Sequence, residues 1–203
     1  MKEKLLQMPL AQLEITVLDY ECTGAVRGFP DEPWQIGLVG FRDGKVDLTT
    51  QLEHFLRVSP DRPFNPHAPG RHARLRNELA LAPSPSEIWN TLQPRLINFP
   101  LCAHNVGTEK KQLQKMAPMH AFGPWIDTLK LARKAWPGLA SYSLEALSSV
   151  FGLDAALEHL FPNRAPHDAL YDAVACGLLL EHLLQQSSWS GILLEEILVL
   201  NRA

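Results

Sequence analysis

An α/β protein built on a mixed β-sheet with flanking helices is what the order of segments in this sequence predicts, on three observations. Residues Ile15-Thr16-Val17-Leu18-Asp19-Tyr20-Glu21 form a β-branched, almost continuously apolar run, the pattern of a central strand covered on both faces. Two further apolar runs flank Asp43-Gly44, a pair that signals a tight hairpin turn in that setting. Beyond them helical spacing and short apolar runs alternate, as they do where strands join a sheet through helices.

The hairpin arms are Trp34 to Phe41 and Val46 to Val58, which with the first run gives three antiparallel strands. From Ser59 to Pro85 the chain carries six of its sixteen prolines (Pro60, Pro63, Pro66, Pro69, Pro83 and Pro85), so a long connection is expected, with one short helix around Arg74 to Leu81. Ser86 is expected to cap a helix carrying Ile88, Leu92 and Leu96, which Pro94 should kink or confine to its first turns. Leu101-Cys102-Ala103-His104-Asn105 reads as a short buried strand and Lys110 to Met119 as a helix. Trp125-Ile126-Asp127 leads into a helix through Leu131 and Trp136, stopped by Pro137-Gly138. Ser143 caps a helix containing Leu144, Leu147, Val150 and Phe151, and Gly152 ends it. Pro166 precedes a long helix from Asp168 to about Gln186, and an apolar helix, Ile192 to Leu200, closes the chain.

A length of 203 residues suits one domain, residues 1–203. With 46% apolar residues and five Trp, there is enough apolar matter for a sizeable core. The 19 basic and 22 acidic residues give a formal charge of −3, so no global basic field attracts a polyanion. Charge is mixed into Met1 to Gln7, where a signal peptide would be apolar, and no run approaches the roughly 20 apolar residues of a membrane span. A cytoplasmic location without a membrane partner is therefore expected. Cys22, Cys102 and Cys176 show no C-x-x-C spacing, and reduced, buried thiols are expected.

The chemistry begins at Asp19 and Glu21. Residues two apart on a strand share a face, so both carboxylates emerge together at the end of the predicted central strand. Such a pair either reaches solvent or meets a cation, and hard ions such as Mg²⁺ or Mn²⁺ suit carboxylate oxygens.

Three segments extend the pattern. Asp19-Tyr20-Glu21-Cys22-Thr23-Gly24 resembles the first motif, D-x-E-x-T-G, of the DEDD 3′-to-5′ exonucleases, the superfamily of the proofreading epsilon subunits of bacterial DNA polymerases and ribonuclease T. Ala103-His104-Asn105-Val106-Gly107-Thr108-Glu109 is similar to its second motif. Asp127 to Arg133 and Ser141 to Leu147 are similar to the segment between motifs, and His167-Asp168-Ala169-Leu170-Tyr171-Asp172-Ala173 resembles the third, H-x-A-x-x-D. The resemblance spans about residues 13 to 185, which leaves residues 187–203 as a C-terminal helical extension. His167 lies five residues before Asp172, the DEDDh pattern. Five helical residues are rotated by about 140°, so His167 must sit at or before the helix start, carried by the Asn163-to-Pro166 segment.

The resemblance implies a ribonuclease H-like fold with a five-stranded mixed sheet. It also implies hydrolysis of terminal phosphodiester bonds in DNA or RNA, releasing nucleoside 5′-monophosphates. Two divalent ions, Mg²⁺ or Mn²⁺, would be held by Asp19, Glu21, Glu109 and Asp172, with His167 as the general base toward the attacking water. The implied partners are single-stranded DNA or RNA 3′ ends and, for the proofreading members, a DNA polymerase. Glu109 departs from the family's Asp: its carboxylate reaches about 1.5 Å further, one bond length. Activity is expected to survive with a preference for Mn²⁺; a catalytically weakened module that binds nucleic acid or accompanies a polymerase is the alternative.

Thr23, Gly24, Ala25, Val26, His104 and Asn105 are the implied nucleic-acid contacts, with Ala25 or Val26 where the family wedges an apolar side chain against the terminal base. Lys110, Lys111, Lys115, Arg71, Arg74 and Arg76 either track phosphates or form solvated faces. Asp168 reads as a helix cap rather than a ligand, and Asp127 as a capping or strand-end residue. The apolar residues Ile192, Leu193, Leu194, Ile197, Leu198 and Leu200 offer a homodimer or partner surface. Two bound divalent ions would turn the formal charge positive, so nucleic-acid affinity is expected to depend on the metal.

Overall fold

The computed structural model describes residues 2–68, 70–71 and 74–201, with the backbone alone at residues 2 and 3. Pro69 of the proline-rich connection and Met1 of the N-terminal stretch lie outside the described residues. Strands β1 (Ile15–Cys22), β2 (Pro33–Arg42), β3 (Lys45–Phe55), β4 (Leu101–Ala103) and β5 (Trp125–Asp127) form one sheet in the order β3-β2-β1-β4-β5. The first three strands pair antiparallel, while β1 with β4 and β4 with β5 are parallel. This is the expected mixed five-stranded sheet. At the hairpin, Asp43 and Gly44 both take positive φ, 52° and 73°, the two-residue turn whose twist matches the flanking strands.

The helices are α1 (Lys2–Leu6), α2 (Arg76–Leu81), α3 (Pro85–Leu96), α4 (Gly107–Met116), α5 (Thr128–Ala135), α6 (Leu144–Val150), α7 (Asp154–Leu160), α8 (Ala169–Leu184) and α9 (Leu194–Leu200). They cover both faces of the sheet, which is why β1 reads as apolar almost throughout. Leu18 and Tyr20 pack with Ile88, Leu92 and Leu96 of α3 and Leu113 of α4. Ile15 and Val17, on the opposite face of the strand, pack with Leu131 of α5, Val174 and Leu180 of α8, and Ile197 of α9.

Several boundaries differ from the sequence reading. Ser84, not Ser86, caps α3: its backbone N–H donates to Glu87 Oε2 at 2.7 Å, and Pro85 occupies the first turn, where its missing N–H costs nothing. Pro94 does not confine the helix to its first turns: α3 runs on to Leu96. Pro94 is solvent-exposed in the last turn; its penalty of about 3 kcal/mol is outweighed by burial of Ile88, Leu92 and Leu96, at about 1.5–3 kcal/mol each. α4 starts at Gly107, directly after β4, and ends at Met116 rather than Met119. α8 ends at Leu184, short of Gln186. α9 starts two residues after Ile192 because Leu193 is extended and bridges Pro9. α7 has no counterpart in the sequence reading; its seven residues bury only Leu157, too little for a periodic signal.

The apolar residues of α9 turn inward. Leu194 and Ile197 are fully buried, with Ile192, Leu198 and Leu200 packed against the same core. The surface that the sequence offered to a partner is therefore largely spent within the chain. All three cysteines are free thiols; Cys102 and Cys176 are buried, and Cys22 is half-buried. No helix among the described residues is long and apolar enough to cross a membrane.

Candidate active site

Strand alternation sends Asp19 and Glu21 to the face of β1 opposite Leu18 and Tyr20, the face on which α8 lies. In the β1–β2 ladder Asp19 stands opposite Gly37 and Glu21 opposite Gln35. Gly37 is what lets α8 descend onto the sheet: a Cβ there would stand 2.3 Å from the backbone of Ala169 and Leu170. The first turn of α8 thereby brings Asp172 over the end of β1. Asp168 caps that helix, accepting from the Tyr171 N–H at 3.3 Å, as expected.

His167 sits just before the cap, off the helix and exposed, with φ at 67°. Its backbone N–H donates to Asp172 Oδ2 at 2.9 Å. One ligand atom each from Glu21, His167 and Asp172 lie within 4.8 Å of one another. Glu109, in the first turn of α4, is 3% exposed, and its Oε2 is buried without a hydrogen-bond partner. All of these residues gather at the carboxyl ends of the parallel strands β1 and β4, where open α/β sheets place their ligands.

The electrostatics of this cluster are strained. Burial, reinforced by Asp172, Glu21 and Glu109, holds the Asp19 carboxyl well above the usual range. Burial and then Asp172 and Asp168 push Glu21 up to about 8. Glu109 is raised to about 7 by burial, against the pull of the backbone N–H groups of its own residue and Tyr20. Asp172 reaches about 7, again chiefly through burial, against the hydrogen bond from His167. Four carboxyls kept from ionising by burial, and by one another's charge, are the complement of a divalent cation. The donor set, carboxylate oxygens with one imidazole, suits Mg²⁺ or Mn²⁺. The residues thus fit the cations that the sequence implies, and the unpartnered Glu109 Oε2 is a ready ligand atom.

The remaining residues divide. Thr23 is fully buried, accepting from Glu32 N–H at 3.1 Å and from Arg62 at 2.9 Å, so it braces the turn rather than meeting a ligand. Gly24 takes φ 69° and packs so closely on Asn65 that a Cβ would stand 2.6 Å from the Asn65 Cβ. Ala25 is exposed, and half-buried Val26 closes a tight turn with Phe29. Both ring nitrogens of His104 are committed, to Thr128 Oγ1 at 3.0 Å and the Tyr142 carbonyl at 2.9 Å. Here the structure departs from the expected nucleic-acid contact: His104 is a brace between β4 and the α5–α6 region. Asn105 is exposed, with its N–H donating to Asp127 Oδ1 at 3.1 Å; that oxygen also caps α5. Arg76 donates to the Arg62 and Pro60 carbonyls, Lys115 to the Asp31 carbonyl, and Arg71 to Asp168. Lys111 and Arg74 are exposed, and Lys110 lies over the Trp125 ring.

An open cleft of about 310 Å³ runs from Tyr20 and Glu21 past Gly24 to Asn65, His67 and Thr108. The proline-rich connection, unassigned in the sequence, supplies one wall of it. Asn65 N–H donates to the Thr23 carbonyl at 2.8 Å, and buried Arg62 ties the Thr23–Pro30 turn together. Arg62, Gln35, Glu53 and Arg164 were not visible as site-building residues, because single polar residues joined only through space leave no spacing signal.

A mixed sheet with two carboxylates at the end of its central strand, faced by a helix-borne carboxylate and a histidine, defines the ribonuclease H-like class. The RNase T exonuclease family matches residues 16–180, and this chain belongs to that family, in keeping with its DEDDh motif order. It is 29% identical over 177 residues to Exodeoxyribonuclease 10 of Escherichia coli K12, covering 87% of this chain and 71% of that protein. It is 26% identical over 196 residues to a PolC-type DNA polymerase III of Halalkalibacterium halodurans, covering 92% of this chain but 12% of the polymerase. Among solved structures, Exonuclease X in complex with 5′ overhanging duplex DNA superposes with a TM-score of 0.65 at 26% identity, over 91% of this chain and 99% of that one.

Proposed function

We propose that this chain is a divalent-metal-dependent 3′-to-5′ exonuclease that removes nucleoside 5′-monophosphates from DNA 3′ ends. The convergence of Glu21, His167 and Asp172 within 4.8 Å, beside Asp19 and Glu109, carries this reading. Similarity to an exodeoxyribonuclease and to an exonuclease solved in complex with 5′ overhanging duplex DNA favours DNA, as a single strand or a recessed end, over RNA.

Asp19, Glu21, Asp172 and Glu109 would hold two divalent ions, which would supply charge stabilisation at the phosphoryl oxygens and a more acidic attacking water. His167 accepts the proton of that water at a ring nitrogen; its side chain is exposed beside Glu21 and Asp172, which leaves the ring free to reach the scissile phosphate. Asp172 fixes the backbone of His167 through the 2.9 Å hydrogen bond and so holds the base beside the ligand cluster. The cleft lined by Glu21, Gly24, Asn65 and Thr108 receives the terminal nucleotide.

The test is incubation of the chain with a 5′-labelled single strand and Mg²⁺ or Mn²⁺, beside Asp19→Ala and His167→Ala. A ladder that shortens one nucleotide at a time only in the unsubstituted protein supports the reading. Binding without shortening supports the weakened module motivated by Glu109, and shortening from the 5′ end refutes the polarity.

A further inference from the structure

We infer that Arg164 is a positioning residue for His167, acting through a ring of hydrogen bonds that ties the turn before α8 to β2 and β3. The inference rests on the proposed role of His167. The Arg164 guanidinium faces two carboxylates on different elements. Nη1 donates to Asp168 Oδ1 at 2.7 Å and to Glu53 Oε1 at 3.0 Å, and Nη2 donates to Glu53 Oε2 at 2.6 Å. Glu53 lies on β3 and also accepts from Gln35 Nε2 at 2.5 Å. Gln35, on β2, accepts in turn from the Ala169 N–H at 3.2 Å through its Oε1. Asp168 and Ala169 are consecutive, so the ring closes on itself: Ala169, Gln35, Glu53, Arg164, Asp168.

His167 is enclosed by this ring in sequence. Arg164 is three residues before it and Asp168 one residue after, so the Arg164–Asp168 bond clamps the two ends of the turn that carries it. That turn needs a clamp, because His167 holds a left-handed φ of 67°, a conformation unfavourable for a residue with a Cβ. The sheet side of the ring fixes where the turn lies, since Gln35 is the cross-strand partner of Glu21. One set of contacts therefore registers the His167 backbone against the Glu21 carboxylate. The Asp168 side chain is 2% exposed and those of Glu53 and Arg164 are 19% and 27% exposed. In such surroundings ion pairs resist salt screening, and the planar fork of Arg spans both partners where a Lys would reach one. Without Arg164, exposed Arg71 would be the one cation left on Asp168 among the described residues, and Glu53 would lose its cationic partner beside a site already crowded with carboxylates.

The test is kcat and KM with Mn²⁺ on a labelled single strand for the full chain carrying Arg164→Gln, Arg164→Lys, Glu53→Gln, His167→Ala, and Arg164→Gln with His167→Ala. Arg164→Gln is expected to lower kcat by about 10- to 100-fold, the cost of a misplaced catalytic group, with KM changed less than about threefold on the same scale. Arg164→Lys should fall between. In the His167→Ala background the Arg164 substitution should cost nothing further, because a residue that acts through His167 has nothing left to position. Additive losses, or a raised KM at unchanged kcat, would overturn the inference. An undiminished kcat in His167→Ala would instead refute the general-base reading itself. If Arg164→Gln does not fold, Glu53→Gln, nearly isosteric and on the same ring, takes its place in the double-substitution comparison.

Discussion

The backbone N–H of His167 and Oδ2 of Asp172 are 2.9 Å apart and hydrogen-bonded, although five residues of helix would put them about 140° apart around its axis. The chain resolves this by starting α8 after His167 and turning that residue to φ 67°. The same turn leaves the imidazole exposed while Asp172 stays tucked against β1. A histidine and a carboxylate can then serve one site in different roles, the first free to exchange a proton and the second held as a ligand.

Substitution of Asp19 by Asn should abolish hydrolysis yet stabilise the metal-free protein. Burial, and then Asp172, Glu21 and Glu109, oppose ionisation of Asp19, and a neutral amide avoids both costs. Relief of about 1 kcal/mol raises the melting temperature by about 2–4 °C in a chain of this size. Thermal melts in chelator measure it, and a lowered melting temperature would contradict the repulsion.

Stability without metal should fall as pH rises. Glu21 at about 8, and Glu109 and Asp172 at about 7, lie above the ordinary carboxylate range. The folded state therefore holds more protons than the unfolded state between about pH 4 and 8, and stability declines with pH through that window. Cation affinity should move the other way, because the ligands must lose those protons. Melts at about pH 5.5, 7 and 8.5, with and without Mn²⁺, should show a falling metal-free curve and a metal-induced gain that grows with pH. A flat or rising metal-free curve across that range would exclude the raised carboxyls.

Glu109 should be replaceable by Asp but not by Ala. Its buried Oε2 lacks a protein partner, so Glu109→Ala removes a ligand atom and should cut metal-dependent hydrolysis by about 10- to 100-fold. Glu109→Asp keeps the charge and draws it back by about one bond length, so the rate ratio between Mg²⁺ and Mn²⁺ should shift while hydrolysis persists. Hydrolysis unaffected by Glu109→Ala would remove this residue from the site.

Gly37→Ala should damage both stability and turnover. The new methyl would stand 2.3 Å from the Ala169 backbone, which cannot yield unless the start of α8 moves. Overpacking of this kind costs about 1–3 kcal/mol, and the shift displaces His167 and Asp172 together. Gly177→Ala is the control. Its Cβ would meet the side chain of Val46 at 2.8 Å, away from the site, so it should cost stability while kcat is retained. An undiminished kcat in Gly37→Ala would show that the approach of α8 to the sheet does not set the site geometry.

Much of the carboxylate cluster was legible because its members sit at short, regular spacings. Asp19 and Glu21 share a strand face by period, and His167 and Asp172 are separated by one helix start. The caps at Ser143, Asp127 and Asp168 were legible for the same reason: each acts on N–H groups two or three residues away. The bracing role of His104 was not legible, because its partners, Thr128 and Tyr142, lie 24 and 38 residues away. Pro94 misled in the opposite sense: a strong local penalty lost to burial supplied by strands that local reasoning does not see.

The sequence alone therefore determined the order of the strands, the pairing of carboxylates along β1 and the exclusion of His167 from the helix. These follow from backbone period and sterics within a few residues. Only the tertiary structure decided that Gly37 admits α8 to the sheet, that the proline-rich connection walls the cleft, and that Gln35, Glu53, Arg164 and Asp168 close into a ring. Those contacts join residues as many as 134 positions apart, and their energies depend on burial and charge that exist only once the sheet and helices have packed.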